Sequence, residues 1–436
     1  MKGYDAMKRF ALCSLFLAFA SLAAAQVDSL ILPEPRTLDL PSLVSEALER
    51  NPTIRAADFE MKAMEAAVPQ SGSLDPPELS YMREEMPGFE FSQARFSRIE
   101  LMQMIRFPTK LSTERSLAEA NAEHAHHDHL EIINEVLSEL SSAYFELWYV
   151  QQQMVLQGEN ARLMKQVAQI SGTRYAAGIV PQYEVLKAQT ELAMIQNAVV
   201  SLRQQERSAK EMLMAILNRE RADTLGFAII SEEISTLLPL DSLERAALKE
   251  RPMLVHDSIS VETARLNLSL ARQEYVPDLR IGLEYMSLPL EQMNAWSFKI
   301  GVTLPFAPWV IDRSASRSDE AQARVSKSIA AFNATRNMVL TEVRTKFLEA
   351  ESEKIQLATF QNVLLPQSEQ SLQSVLAAYE NGQAEFMMVL ESYRTVSSVT
   401  TEYFMSRMRF EQSLVALQRA VGIRAVSEIN EYEVIP

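Results

Sequence analysis

Hydrophobic positions along the chain follow two different periods. Between Gln182 and Leu225 the apolar residues fall at Val185, Ala188, Leu192, Ile195, Val199, Leu202, Ala209, Leu213 and Ile216, in steps of threes and fours, with Glu206 interrupting. A 3.5-residue repeat predicts a helix that buries one seam against another helix, with left-handed supercoiling. Glycine and proline are absent from Thr109–Gln157, Gln182–Leu225, Trp309–Leu365 and Gln383–Val421. Runs without breakers predict unbroken helices, and the third alone could extend about 85 Å at 1.5 Å per residue. These are rods, far longer than the helices of a compact domain.

Between the rods the period falls to two. Phe298, Ile300, Val302 and Leu304 alternate with Ser297, Lys299, Gly301 and Thr303, and Leu279, Ile281, Leu283 and Tyr285 with Arg280, Gly282, Glu284 and Met286. Earlier in the chain Ile99, Leu101, Ile105 and Phe107 stand opposite Arg98, Glu100, Met102 and Met104, with Gln103 on the apolar side and a partner strand expected near Leu79–Met86. Such alternation fits a soluble hairpin, or a strand with lipid on one face and a water-filled lumen on the other. Four strands are too few to close a barrel with a usable interior, so closure would take several chains around a rotation axis.

The chain is also duplicated. A shift of 200 residues superposes Leu40, Ser42, Leu43, Ala47, Leu48, Pro52, Pro77 and Leu79 on Leu240, Ser242, Leu243, Ala247, Leu248, Pro252, Pro277 and Leu279, and a shift of 204 superposes Tyr175, Gly178 and Leu186 on Tyr379, Gly382 and Leu390. Each copy should repeat one architecture. The expected division is a first repeat over 26–226, with a strand pair at about 78–107 and a helical hairpin at about 109–220, and a second over 227–425, with strands at about 278–306 and a hairpin at about 309–422; a tail, 426–436, follows. The fold class expected is mainly α with a small β part.

Ahead of the repeats, Lys8 and Arg9 precede an apolar run from Phe10 to Ala20 and the small residues Ala23, Ala24 and Ala25. That layout is a secretory signal, with cleavage expected after Ala25. The single cysteine, Cys13, lies inside it, so the mature chain would have no thiol for disulfides, catalysis or an acyl anchor. Cleavage would also carry the formal charge from −15 to −17, which disfavours nucleic acid and suits a conduit for cations. No Gly-rich phosphate loop, nucleophile elbow or His-Glu-x-x-His occurs, so neither an enzyme nor a cofactor is expected.

Leu48-Glu49-Arg50-Asn51-Pro52, Arg174-Tyr175-Ala176-Ala177-Gly178, Val185-Leu186-Lys187-Ala188-Gln189, Tyr379-Glu380-Asn381-Gly382 and Val389-Leu390-Glu391 recur in an order and spacing that resemble the TolC-type outer membrane efflux family over nearly the whole mature chain. Asp75–Leu79, Ile105-Arg106-Phe107-Pro108-Thr109-Lys110 and Leu365-Pro366-Gln367 are similar to its CzcC-like and CusC-like heavy-metal branch. The resemblance implies a homotrimer whose strands make a twelve-stranded barrel in outer-membrane lipid, continued by a helical tunnel through the periplasm. It further implies a periplasmic adaptor and an inner-membrane, proton-driven pump as partners, with metal cations or organic drugs as cargo. The rival class is a non-channel coiled-coil adaptor or envelope scaffold.

Two groups of residues follow from that likeness, and one from the sequence itself. Tyr175–Gly178 and Tyr379–Gly382 lie where rods meet, so each should be a helical turn with a left-handed glycine, and Pro181 should start the returning helix. The family would make these turns adaptor-docking tips, with Arg174, Tyr175, Gly178, Ile179, Tyr379, Gly382 and Gln383 as contacts. It would also place Glu184, Lys187, Met388 and Glu391 at a periplasmic constriction. Independently, His124, His126, His127 and His129 crowd together beside Glu123 and Asp128, with His124/His127 and His126/His129 at i, i+3. Imidazoles in that pattern make a solvated patch or a weak metal site.

Overall fold

The computed structural model describes residues 37–84, 96–220, 225–231, 233–288 and 293–422. The expected signal peptide and the tail lie outside the described residues. The first repeat holds β1 (Thr37–Leu38), α1 (Leu40–Arg50), α2 (Pro52–Ser71), β2 (Glu78–Glu84), β3 (Phe96–Ile105), α3 (Pro108–Ala176) and α4 (Gln182–Ile216). The second holds β4 (Phe227–Ala228), α5 (Leu240–Glu250), α6 (Pro252–Gln273), β5 (Leu279–Leu288), β6 (Met293–Val302), α7 (Pro308–Thr359), α8 (Leu365–Glu380) and α9 (Phe386–Val421).

Proline sets the helix starts. Pro52, Pro108, Pro252 and Pro308 each open a helix, where the missing N–H costs nothing and the fixed φ is already helical. α3 runs 69 residues without a break, about 100 Å at helical rise. Its counterpart, α7, continues into α8 through a single π turn, Phe360–Leu364. Pro366 follows that turn and has no N–H for the carbonyl four residues back, so the extra residue relieves the ladder.

The long rods carry the rest. α2, α3, α6 and α7 lie side by side in that order, and the strands they lead into keep it, forming one antiparallel sheet β2-β3-β5-β6. Toward the other end α4 takes the place of α2 beside α3, and α9 packs against both α3 and the α7–α8 rod. The expected seam of α4 is observed, with Ala188, Ile195, Ala209, Leu213 and Ile216 buried. Glu206 sits in the seam by pairing with Lys210 at 2.8 Å and accepting from the Gln151 amide at 3.3 Å.

Midway along, α1 and the parallel pair β1–β4 clasp α3 around Leu43, Ala47, Leu140, Tyr144 and Leu147. The buried Tyr144 hydroxyl reaches the Leu38 carbonyl at 2.7 Å and accepts the Ile229 N–H at 2.9 Å; burial pushes its pKa up to about 12. The repeats also share their joints. Asn51 bridges α1 to α2, and its side-chain amide donates to the Ile216 carbonyl at 2.8 Å. Arg251 stands at the equivalent joint and donates to the Arg419 carbonyl. Asn218 and Gly422, 204 residues apart, end α4 and α9 with positive φ.

The sheet has two chemically distinct faces. Tyr81, Ile99, Tyr285 and Trp296 form one cross-strand row and Leu79, Leu101, Leu283 and Phe298 the next. Most of these are exposed large apolar side chains, Phe298 at 65%. On the opposite face Glu284 pairs with Lys299 and with Arg98 Nε (3.2 Å), and Lys299 reaches Glu100 at 3.0 Å. At the end where the strands meet the helices, Phe107, Tyr275, Phe306 and Trp309 are exposed, in the manner of an interfacial aromatic girdle. Among the described residues no helix is long and apolar enough to cross a membrane.

Candidate functional site

The far ends of the rods carry two matching turns. At the first, Gly178 has φ +71°, and Ile179 N–H and Gly178 N–H donate to the carbonyls of Arg174 and Tyr175, each at 2.9 Å. At the second, Gly382 has φ +73°, with Gln383 N–H and Gly382 N–H donating to Ala378 (2.8 Å) and Tyr379 (3.0 Å). Both are helix ends closed through a left-handed glycine, a conformation that costs other residues energy. Pro181 caps α4 from outside the helix instead of opening it.

The tips expose large apolar side chains, Ile179, Tyr183, Leu186, Met387 and Met388, among polar ones such as Lys187 and Gln383. Tyr175, Gly178, Gly382 and Gln383 are exposed, as the docking expectation requires. Tyr379 departs from that expectation. It is 1% exposed, because α8 lays its ring against α3 and α4. Its hydroxyl is 2.9 Å from Ser171 Oγ and donates to Glu184 at 3.3 Å. Burial raises its pKa above the ordinary tyrosine range, so the hydroxyl stays a donor. Arg174 is likewise engaged, stacking on the Tyr379 ring at 4.9 Å and donating to its carbonyl at 3.0 Å. These two residues join the tips to one another; buried Tyr379 offers no docking surface, while Arg174 stays half-buried.

The expected constriction divides in the same way. Lys187, Met388 and Glu391 are exposed, and Glu391 lines a shallow groove with Met387, Arg394 and Thr395. Glu184 is 7% exposed, so the free lumen-facing carboxylate expected there is replaced by a buried acceptor for Tyr379. Two turns on, Glu191, also buried, takes Arg394 at 2.7 Å. The sequence offered no sign of this, because both carboxylates sit one step outside the apolar seam.

The histidines do not converge as a run. His126 turns to α2, with Nδ1 3.4 Å from Met61 Sδ, and His127 Nε2 lies 3.5 Å from Glu123. Neither they nor His129 joins the one cluster of possible ligand atoms among the described residues, which is His124, Asp128 and His256. The i, i+3 pairing expected is therefore replaced by an i, i+4 pair on α3 completed from α6. Burial holds the pKa values of His124 and His127 below the ordinary imidazole range. His256 was missed because only the packing of α6 on α3 brings it to His124, and neither repeat shift aligns the two.

A family model described as outer membrane efflux protein matches residues 43–219 and 243–423. The cobalt-zinc-cadmium resistance protein CzcC of Cupriavidus metallidurans is 22% identical over 424 residues, covering 94% of this chain and 98% of that protein. Among solved structures, CusC, described in terms of folding and transmembrane channel formation, superposes with a TM-score of 0.76 at 16% identity over 88% of this chain and 92% of its own. The outer membrane protein VceC of Vibrio cholerae does so with a TM-score of 0.73 at 17% identity, over 88% and 96%.

Proposed function

The chain belongs to the outer membrane efflux protein family, and on that premise we propose that three copies close into the passive exit duct of a tripartite efflux system. Members of this family are channels and not enzymes. The observation that carries the trimer is the four-stranded sheet: among the described residues β2 and β6 have no strand partner on their outer edges, and exposed backbone groups are not tolerated in hydrocarbon. Copies pairing β6 to β2 around an axis would satisfy both edges, turn the apolar rows to lipid and enclose the charged face of Glu100, Glu284 and Lys299. The α2–α3–α6–α7 wall would continue that ring into the periplasm.

The tips are the docking ends for a periplasmic adaptor, which couples the duct to an inner-membrane pump. The cargo is a heavy-metal cation, supported by the likeness to CzcC over the chain's length and by the acidic composition. Export assays in a strain lacking the chain test this reading. Restored resistance to zinc, cobalt or cadmium is expected, whereas resistance restored only to organic compounds would replace the cargo. Recovery of the protein in the soluble periplasmic fraction, without conductance in planar bilayers, would overturn the channel. Gly178→Trp with Gly382→Trp should keep the trimer and abolish export, since the barrel lies a rod's length away.

A further inference from the structure

Two helices that belong to different repeats bring three metal-ligating side chains together. His124 and Asp128 lie one turn apart on α3, and His256 faces them from α6. His124 Nδ1 is 3.4 Å from Asp128 Oδ2, and His256 Nε2 is 3.3 Å from Asp128 Oδ1. Two donors about 2.0–2.1 Å from a tetrahedral ion stand about 3.4 Å apart; each imidazole nitrogen already lies about that far from an Asp128 oxygen, and one ligand atom from each of the three residues falls within 4.8 Å of the other two. These separations are longer than a well-formed charge-assisted hydrogen bond.

The remaining nitrogens are already occupied. His256 Nδ1 lies 3.0 Å from Asp257 Oδ1, and the other oxygen of Asp257 accepts from the Thr335 hydroxyl of α7 at 2.5 Å. His124 Nε2 lies 3.3 Å from Ser260 Oγ. In each ring the outward nitrogen therefore faces a protein oxygen and the other is turned to Asp128. That is the arrangement by which outer partners orient metal-bound histidines. His124 and Asp257 also line a solvent-connected groove of about 790 Å³ between α3, α6 and α7, which gives an ion a path in.

We propose that His124, Asp128 and His256 form a binding site for a divalent cation of the zinc, cobalt and nickel class, clamping the first repeat to the second. Two imidazoles and one carboxylate suit borderline cations more than calcium or magnesium. Three protein ligands leave a coordination position for water or for exchange. Such a site holds its ion reversibly on the helical wall and does not depend on what the duct exports.

The test uses the purified full-length protein in detergent, stripped with chelator and titrated with cobalt chloride. Binding of one ion per chain with the visible d–d absorption of four-coordinate cobalt is expected, and zinc should displace it. His256→Gln and Asp128→Asn should each remove that absorption, and Asp257→Asn should weaken binding about 10- to 100-fold by losing ring orientation. His126→Ala with His129→Ala should leave it intact. Circular dichroism of each variant separates loss of ligand from loss of fold. A wild type that binds no cobalt, or a folded His256→Gln variant that binds it as tightly as wild type, overturns the proposal. Because the readout is binding, failure of export in cells leaves it standing, and failure of binding leaves the duct standing.

Discussion

Replacing Tyr379 by Phe isolates one oxygen atom at the joint between the hairpin tips. The ring would keep its place between α3 and α4 and its stack under Arg174. What goes is the hydroxyl shared by Ser171 Oγ and Glu184 Oε2. Both partners are buried, Ser171 at 0% and Glu184 at 7% exposed, so water does not replace the lost bond. A buried polar group left without a partner costs about 1–3 kcal/mol, and a local opening made easier by that amount speeds amide exchange about 5- to 150-fold. Hydrogen exchange followed by mass spectrometry should show that acceleration in peptides covering 165–190 and 372–394, with peptides of the β-sheet unchanged. Tyr175→Phe is the control, because the same ring in the first repeat is 45% exposed and its hydroxyl has water available. Unchanged exchange in Tyr379→Phe, or equal acceleration in both variants, would refute the joint.

Gly422→Ala should be poorly tolerated, since a Cβ there would lie 2.7 Å from Arg251 Cα with φ at +86°; a loss on the order of 1–3 kcal/mol should appear in chemical unfolding, while Gly178→Ala, with nothing within 4 Å, pays only the smaller φ penalty. Leu283→Arg on the apolar face should cost about 2–4 kcal/mol in folding into liposomes, whereas Met286→Arg on the charged face should fold normally. Glu46 takes Arg219 in two hydrogen bonds of 2.9 and 2.5 Å, which hold its pKa below the usual glutamate range. A depressed folded-state pKa contributes stability above the unfolded value and loses it as pH falls through the folded one. Wild type should therefore exceed Glu46→Gln in melting temperature at pH 7 and converge with it in acid.

The rods and the strand faces were legible because each repeats locally. Leu279, Ile281, Leu283 and Tyr285 alternate whatever they pair with, and glycine at 178 and 382 is demanded by the backbone alone. Register between distant helices was not legible. His124 meets His256 only because α6 lies on α3 at one particular offset, and no period encodes that offset. Glu184 misled for a related reason. An acidic residue near a tip is usually solvated, and its burial depends on a tyrosine 195 residues away. The four histidines drew attention as a run, yet a helix turns successive residues about 100° apart, so a run scatters its ligands unless a second element gathers them.

The two repeats are not interchangeable at the joint, and the differences bear on how three chains would close. Within a chain, Ser171, Arg174, Glu184 and Glu191 of the first hairpin meet Tyr379 and Arg394 of the second. In a closed ring the second hairpin of one copy must meet the first hairpin of the next at the same level. The residues standing 204 positions on from the first set are Val375, Ala378, Met388 and Thr395, and those standing 204 positions back from the second are Tyr175 and Thr190. Every charge in the joint has been replaced by an apolar or neutral side chain. In a ring closed that way Tyr175 and Met388, 45% and 54% exposed in the single chain, would face each other between copies, and a polar joint within the chain would alternate with an apolar one between chains. An apolar contact requires no matched hydrogen bonds and can part and re-form in water more easily than the buried Tyr379–Glu184 bond, so in such a ring the tips would open between copies. Cysteines at 175 and 388 should link copies into a covalent trimer under mild oxidation, while either cysteine alone should not; a double variant that stays monomeric on denaturing gels would show that the copies meet elsewhere.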